Sequence, residues 1–262
     1  MMKLVRFLFL YLVEKEIVLK RITSYFACLI FAIFLQIILV PAAGAANKIM
    51  PLGNSITWDD RIGDTRTDGE RISYRYRLWQ LLNNSGYDFD FVGSQYTGYD
   101  IFPDAENEGH PGWTDDEIVD GRPAEPDKGN LATWLANEQP AIVLLHIGTN
   151  RVDPSPDDVE AILNKIDEFS PNVWVVLARI INRTCSLDTP PCPDSQVTID
   201  FNDNVEDMAL DRINNPANPA FPDKIVIVDM QSSAGIDYRL QPIGDMWDIV
   251  HPYTTGYDKM AE

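Results

Sequence analysis

Histidine is scarce in this sequence. The 262-residue chain has three, His110, His146 and His251, so any chemistry that needs an imidazole has three places to find one. Basic residues are short too, 21 Lys and Arg against 40 Asp and Glu, for a formal net charge of −19. Such a surface repels phosphate backbones, which excludes nucleic acid as a partner and leaves neutral ligands unaffected. The same acidity also fits simple solubility or salt tolerance. Cysteine is limited to Cys28, Cys185 and Cys192. There is no internal repeat, no shift in composition that marks a second globular domain, and no apolar run of the about 20 residues that a spanning helix needs.

What is present begins with a distinctive N-terminus. Lys20 and Arg21 precede an apolar run from Phe26 to Val40, followed by Pro41-Ala42-Ala43-Gly44-Ala45-Ala46. Basic, apolar and small residues in that order read as a secretory signal over residues 1–46, with cleavage after Ala43, Ala45 or Ala46. The competing reading is an uncleaved anchor, because Phe7 to Val13 forms a second apolar patch; membrane contact is expected only through this segment. Removal of residues 1–46 leaves 16 basic and 38 acidic residues, a formal charge of −22. The expected location is secreted, periplasmic or at the cell surface. Cys185 and Cys192 then remain, close together in a Pro-rich loop, and an exported compartment permits them to pair as a disulfide. Two free thiols or a metal pair are the alternatives, although no third or fourth soft ligand is nearby.

Residues 47–262 read as one α/β domain. Ile49 to Leu52 is a short buried strand, and Tyr87 to Val92, Ala141 to Ile147, Val173 to Ile181 and Lys224 to Asp229 are four more. The near-continuous apolar character of Ala141 to Ile147 is the pattern of a parallel strand buried on both faces. Helical spacing recurs between them: Tyr74, Leu78, Leu81 and Leu82; Val159, Ile162, Leu163, Ile166 and Phe169; then Val205, Met208, Ala209 and Ile213. Alternation in this order predicts a three-layer α/β/α domain around a five-stranded parallel sheet. Residues 94–130, rich in Gly, Asp and Pro, read as a long functional rim containing His110 and Trp113.

Several chemistry-bearing residues fall just after strands, and in an open parallel sheet those positions converge on the carboxyl edge. Gly53 permits a sharp turn into Ser55. Gly93 ends the second strand, Asn150 the third, and Asp248 and His251 follow the fifth. A serine hydroxyl is too weakly acidic to attack an ester unaided; an imidazole must take its proton, and a carboxylate must hold that imidazole in the right tautomer. Asp248-Ile-Val-His251 places such a pair three residues apart. Of the three histidines, His146 lies inside a buried strand and reads as a core residue. His110 sits in the long loop as a rim or supporting residue, which leaves His251 as the candidate base. The amides of Ser55 and Gly93 and the side chain of Asn150 are candidate oxyanion donors. Individually, Ser55 also fits a helix cap, Gly93 a strand terminator and Asn150 a turn residue. No metal or organic cofactor is required, although an acidic loop can be read as a structural Ca²⁺ site.

The motifs Ile49-Met-Pro-Leu-Gly-Asn-Ser55, Phe91-Val-Gly-Ser94, Glu108-Gly-His-Pro-Gly-Trp113, Leu144-Leu-His-Ile-Gly-Thr-Asn150 and His251-Pro-x-x-x-Gly-Tyr-x-Lys-Met260 resemble the SGNH (GDSL) hydrolases, and within them the carbohydrate esterase family 3 branch. The resemblance runs from Ile49 to the C-terminus. It implies a flavodoxin-like sheet, Ser55 as nucleophile, His251 as base, Asp248 as its orienting acid, and Ser55, Gly93 and Asn150 as the oxyanion hole. It also implies acetyl xylan esterase-like activity on an acetylated polysaccharide or oligosaccharide. The other readings are a GDSL-type lipase or arylesterase, and a non-catalytic glycan-binding module of the same fold. The sequence departs from the family pattern at Asn54, where an Asp is usual. It also stops at Met260-Ala-Glu262, inside the first turns of an expected closing helix, so it reads as a fragment or as an unusually short fold.

Overall fold

Eleven residues ahead of Trp58, the chain enters a strand that organises the rest. The structure, a computed structural model, describes residues 46–150, 153–184 and 193–262, with side chains in the last stretch from residue 196. The export signal (all but Ala46) and the Cys185–Cys192 pairing lie outside the described residues. Strand β1 (Asn47–Asn54) runs straight into the short helix α1 (Ser55–Trp58). There follow α2 (Ser73–Asn84), β2 (Phe89–Phe91), β3 (Gln95–Tyr96), β4 (Glu106–His110), α3 (Asp115–Asp120), α4 (Leu131–Glu138) and β5 (Ile142–His146). The remainder is α5 (Asp157–Phe169), β6 (Trp174–Arg179), α6 (Pro193–Asn214), β7 (Ile225–Asp229) and α7 (Thr254–Ala261).

The strands form one sheet in the order β3-β4-β1-β5-β6-β7, with β2 also on β1. Every pairing is parallel except β3 with β4. The sheet thus has the five expected strands plus β3 and β4, which come from the segment read as an irregular rim. That reading failed because β4, Glu-Asn-Glu-Gly-His, carries no apolar residue, yet it is buried. Asn107 and Glu108 are fully inaccessible, and their side chains are satisfied internally: Asn107 by Thr97, Ala105 and the Gly109 amide, Glu108 by Ser94 and His110. Buried polar groups with full partners are permitted where hydrophobic patterning predicts none. Strands β2 and β4 share one flank of β1. β2 pairs with Asn47 to Ile49, and β4 pairs with Leu52 to Asn54.

Two apolar layers cover the sheet. One joins Ile118, Trp134 and Leu135 of α3 and α4 to Val159, Ile162, Leu163 and Ile166 of α5 and to Phe201, Val205 and Ala209 of α6. The other joins Ile56, Tyr74 of α2, and Tyr257 and Met260 of α7. Each fully buried aliphatic side chain contributes about 1.5–3 kcal/mol. Phe169, the last member of the predicted α5 stripe, is 38% exposed because the helix ends beyond the core. Helix α6 begins at Pro193, well before the first residue of its apolar stripe, Val205. Among the described residues no helix is long and apolar enough to cross a membrane.

Candidate active site

The buried end of β1 sets the position of Ser55. Gly53 lies so close to β5 that a Cβ there would come within 2.4 Å of the His146 carbonyl oxygen and of Thr57 Oγ1; only glycine allows this approach. Asn54 then caps α1, its Oδ1 accepting the Ile56 amide at 3.0 Å. The cap is therefore Asn54, and Ser55 is the first helical residue with its hydroxyl free for another partner. Asn54 keeps the capping oxygen of the more usual Asp, but its buried Nδ2 has no partner among the described residues.

The partner of Ser55 comes from the far end of the chain. His251 Nε2 lies 2.9 Å from Ser55 Oγ. Its Nδ1 lies 2.9 and 2.8 Å from the two oxygens of Asp248. Asp248 also accepts the amides of Val250 and His251, each at 2.8 Å, and that of Ile62 at 3.0 Å. Burial alone would raise the Asp248 carboxyl, but the hydrogen bond and charge of His251 and the two loop amides outweigh it and hold it at about 2. An ionised carboxylate on Nδ1 makes that nitrogen the donor and leaves Nε2 as the acceptor facing the Ser55 hydroxyl. Ser55 is 5% and His251 8% exposed, so the pair is largely shielded from water.

Asn150, exposed at the end of β5, donates Nδ2 to the Trp113 carbonyl at 2.6 Å. One amide hydrogen is thereby fixed and the second remains to be directed elsewhere. Trp113 ends the turn His110-Pro-Gly-Trp113, closed by the Trp113 amide on the His110 carbonyl at 3.1 Å. Gly112 takes φ 76° in it, as the third residue of a Pro-Gly turn requires. Because His110 pairs with Asn54, this turn stands at the same sheet edge as Ser55.

Solved structures with this fold are known. A Clostridium thermocellum family 3 carbohydrate esterase matches with TM-score 0.59 and 28% identity, covering 82% of this chain and 92% of its own. The fold is that of the SGNH hydrolases. A carbohydrate esterase family 3 protein from Talaromyces cellulolyticus matches over the same shares with TM-score 0.57 and 24% identity. The M. smegmatis aryl esterase, at 16% identity and TM-score 0.53, covers 82% of this chain and 95% of its own. No protein-family model matches the sequence, and no curated protein does. The likeness to carbohydrate esterase family 3 is thus one of structure joined to the motifs quoted above.

Within this SGNH fold, three predicted site residues fall elsewhere. Gly93 is not at the carboxyl edge. A Cβ on it would meet the Asn107 backbone at 2.2 Å, and the next residue, Ser94, binds Glu108. Glu108 pairs with Leu52, so Gly93 lies about four residues short of Ser55, or roughly 13 Å along the strand. Gly112 is the glycine of the turn that follows β4, whose His110 pairs with Asn54, and the Pro111-Gly112 pair is its signal in the sequence. His110 and Trp113 are not rim residues. His110 is 2% and Trp113 1% exposed. The imidazole is stacked on Trp113 and on Trp134, each 4.4 Å away by ring centroid, with the two indoles 5.9 Å from one another, and its Nε2 is on Glu108 at 2.7 Å. Their work is to hold the turn. His146 is the core residue it was read to be: burial lowers it to about 4, and its Nε2 accepts the Ile181 amide at 3.3 Å.

Among the described residues, the three side chains able to share a metal ion are Asp115, Asp116 and Asp158, with ligand atoms within 4.8 Å of one another. Oxygen-only donors suit a hard cation such as Ca²⁺. All three carboxylates have other interactions.

Proposed function

We propose that this chain is an exported serine esterase that removes short acyl groups, above all acetyl, from a polysaccharide such as xylan. The neighbours support a carboxylic ester hydrolase, and the observation that carries the reading is the unbroken line Ser55 Oγ, His251 Nε2, His251 Nδ1 and Asp248. Ser55 Oγ attacks the ester carbonyl while His251 takes its proton; the sugar oxygen leaves with that proton and an acyl-Ser55 remains. Water, deprotonated by the same imidazole, then attacks the acyl carbon, and Ser55 regains its proton as acetate departs. Charge on the carbonyl oxygen is met by donors at the sheet edge. They are the Ser55 amide, which lies in the first helical turn and lacks an intrahelical acceptor, the second hydrogen of Asn150 Nδ2, and the Gly112 amide in place of Gly93. Export draws its support from the order of residues before Ala46. Acetate release from a panel of acetylated polysaccharides tests the reading: Ser55→Ala should abolish it, and equal rates would remove Ser55 as nucleophile.

A second reading is an arylesterase or lipase of the same fold. Ile62, Trp247 and Ile249, at 67%, 40% and 48% exposure, place apolar surface beside Asp248, which a longer acyl or aryl group could cover. A rate that rises with acyl chain length would favour it over the acetyl reading.

A further inference from the structure

Arg61 is a buried cation in an irregular loop, with 3% of its side chain exposed. A guanidinium is removed from water at a cost of several kcal/mol unless it is well paired, so its surroundings are informative. Its Nε donates to Asp59 Oδ1 at 2.7 Å. Its guanidinium carbon stands 5.6 Å from the Trp247 ring, 5.6 Å from Tyr253 and 5.3 Å from Tyr257, within the range of cation–π attraction to each. Trp247 and Tyr253 are themselves parallel, 4° apart at 6.0 Å.

The two sides of this cage belong to the two halves of the site. Asp59, fully buried, ends α1 in the left-handed conformation, and its amide donates to the Ser55 carbonyl at 2.8 Å. Trp247 and Tyr253 bracket Asp248 and His251. Ile62, next to Arg61, donates its amide to Asp248 Oδ2 at 3.0 Å and accepts Trp247 Nε1 at 3.1 Å. Trp247 in turn donates its amide to the His251 carbonyl at 2.8 Å. Residues 230–253 contain no helix or ladder strand, so regular secondary structure does not hold this loop against α1. The planar, stacking, always-charged guanidinium suits the cage in a way an ammonium does not.

We infer that Arg61 is a positioning residue, clamping the Trp247–His251 loop to the Ser55 turn so that His251 Nε2 is held within reach of Ser55 Oγ. The inference rests on the triad reading given above. Displacement of a catalytic group by about 1 Å costs on the order of 10²-fold in rate, which sets the expected effect. The test measures kcat and KM on p-nitrophenyl acetate for wild type, Arg61→Met, Arg61→Lys, Trp247→Phe and Ser55→Ala. Active sites are counted at the end point of fluorophosphonate labelling, so that loss of folded protein is separated from loss of rate. Arg61→Met should lower kcat per labelled site about 100-fold with KM within about threefold, and Arg61→Lys should recover about tenfold of that loss. Trp247→Phe, which keeps the stack and removes only the Nε1 donor, should lower kcat per site about fivefold. Wild-type kcat per site in Arg61→Met would overturn the clamp and make Arg61 a purely structural cation. If Arg61→Met does not fold, Arg61→Lys decides: a kcat per site about tenfold below wild type supports the clamp and a wild-type rate overturns it. Wild-type turnover in Ser55→Ala would overturn the triad reading and the clamp together, whereas an inactive Ser55→Ala with unaffected Arg61 and Trp247 variants removes the clamp alone.

Discussion

Two aspartates at opposite ends of β1 have opposite fates. Asp248 lies beyond the carboxyl end, and Asp104 lies near the amino end, where it accepts the Phe91 amide at 2.9 Å beside Ile49. Burial raises both. At Asp104 burial dominates, one amide opposes it, and Asp90 and Glu106 add like charge, so the carboxyl reaches about 7. At Asp248 the imidazole and loop amides overcome burial and bring it to about 2. What separates them is the number of N–H donors and the sign of the nearest charge, as those two causes act independently of depth. Only the first aspartate is equipped to hold an imidazole and to stabilise it when charged.

The contrast is broken most severely at His251. His251→Ala should reduce acetate release by at least about 10³-fold, since base and proton donor are lost together. Asp248→Asn keeps the shape but offers an amide that no longer fixes the tautomer; kcat should fall about 10²- to 10³-fold, a smaller loss measurable in the same assay.

Stability sharpens the comparison further. The folded carboxyl of Asp248 is depressed, so its contribution is present above about pH 4 and is lost as pH falls from there toward 2. With screening at a partly exposed site it amounts to about 1–2 kcal/mol, and urea unfolding across that window should show it in wild type and lack it in Asp248→Asn. Asp104 works in the other direction: its folded carboxyl is raised, so the folded state loses stability as pH rises from about 4 through 7. Asp104→Asn should therefore stabilise the protein by about 1 kcal/mol at pH 8 and by nothing resolvable at pH 3 in the same experiment.

Much of this was legible from residue order. Apolar runs marked β1, β5, β6 and β7, because strands buried on both faces must be apolar almost throughout. The Asp-x-x-His spacing marked Asp248 and His251, since three residues suffice for a carboxylate to reach the neighbouring imidazole. What escaped is held by polar partners, which hydrophobic patterning does not mark. β4 is buried through Glu108, Asn107 and His110, which are satisfied partly by one another and partly by Ser94 and Thr97, so no periodicity announces it. Without β4, the sequence points to Gly93 as the glycine at the sheet edge, although Gly112 follows the strand whose His110 pairs with Asn54. Arg61 sits in a polar loop and joins groups almost 190 residues away, Trp247 among them, which no local pattern encodes.

The packing of His110 against Trp113 and Trp134 has an optical consequence. Those two indoles are 1% and 2% exposed, whereas Trp247, next to Asp248, is 40% exposed. An aqueous quencher such as iodide therefore reaches Trp247, and in part the half-buried Trp58, Trp79 and Trp174, and leaves the buried pair emitting. The protected emission reports whether the turn that carries Gly112 is still packed, and the difference in quenchable emission between wild type and Trp247→Phe reports what covers the surface beside Asp248.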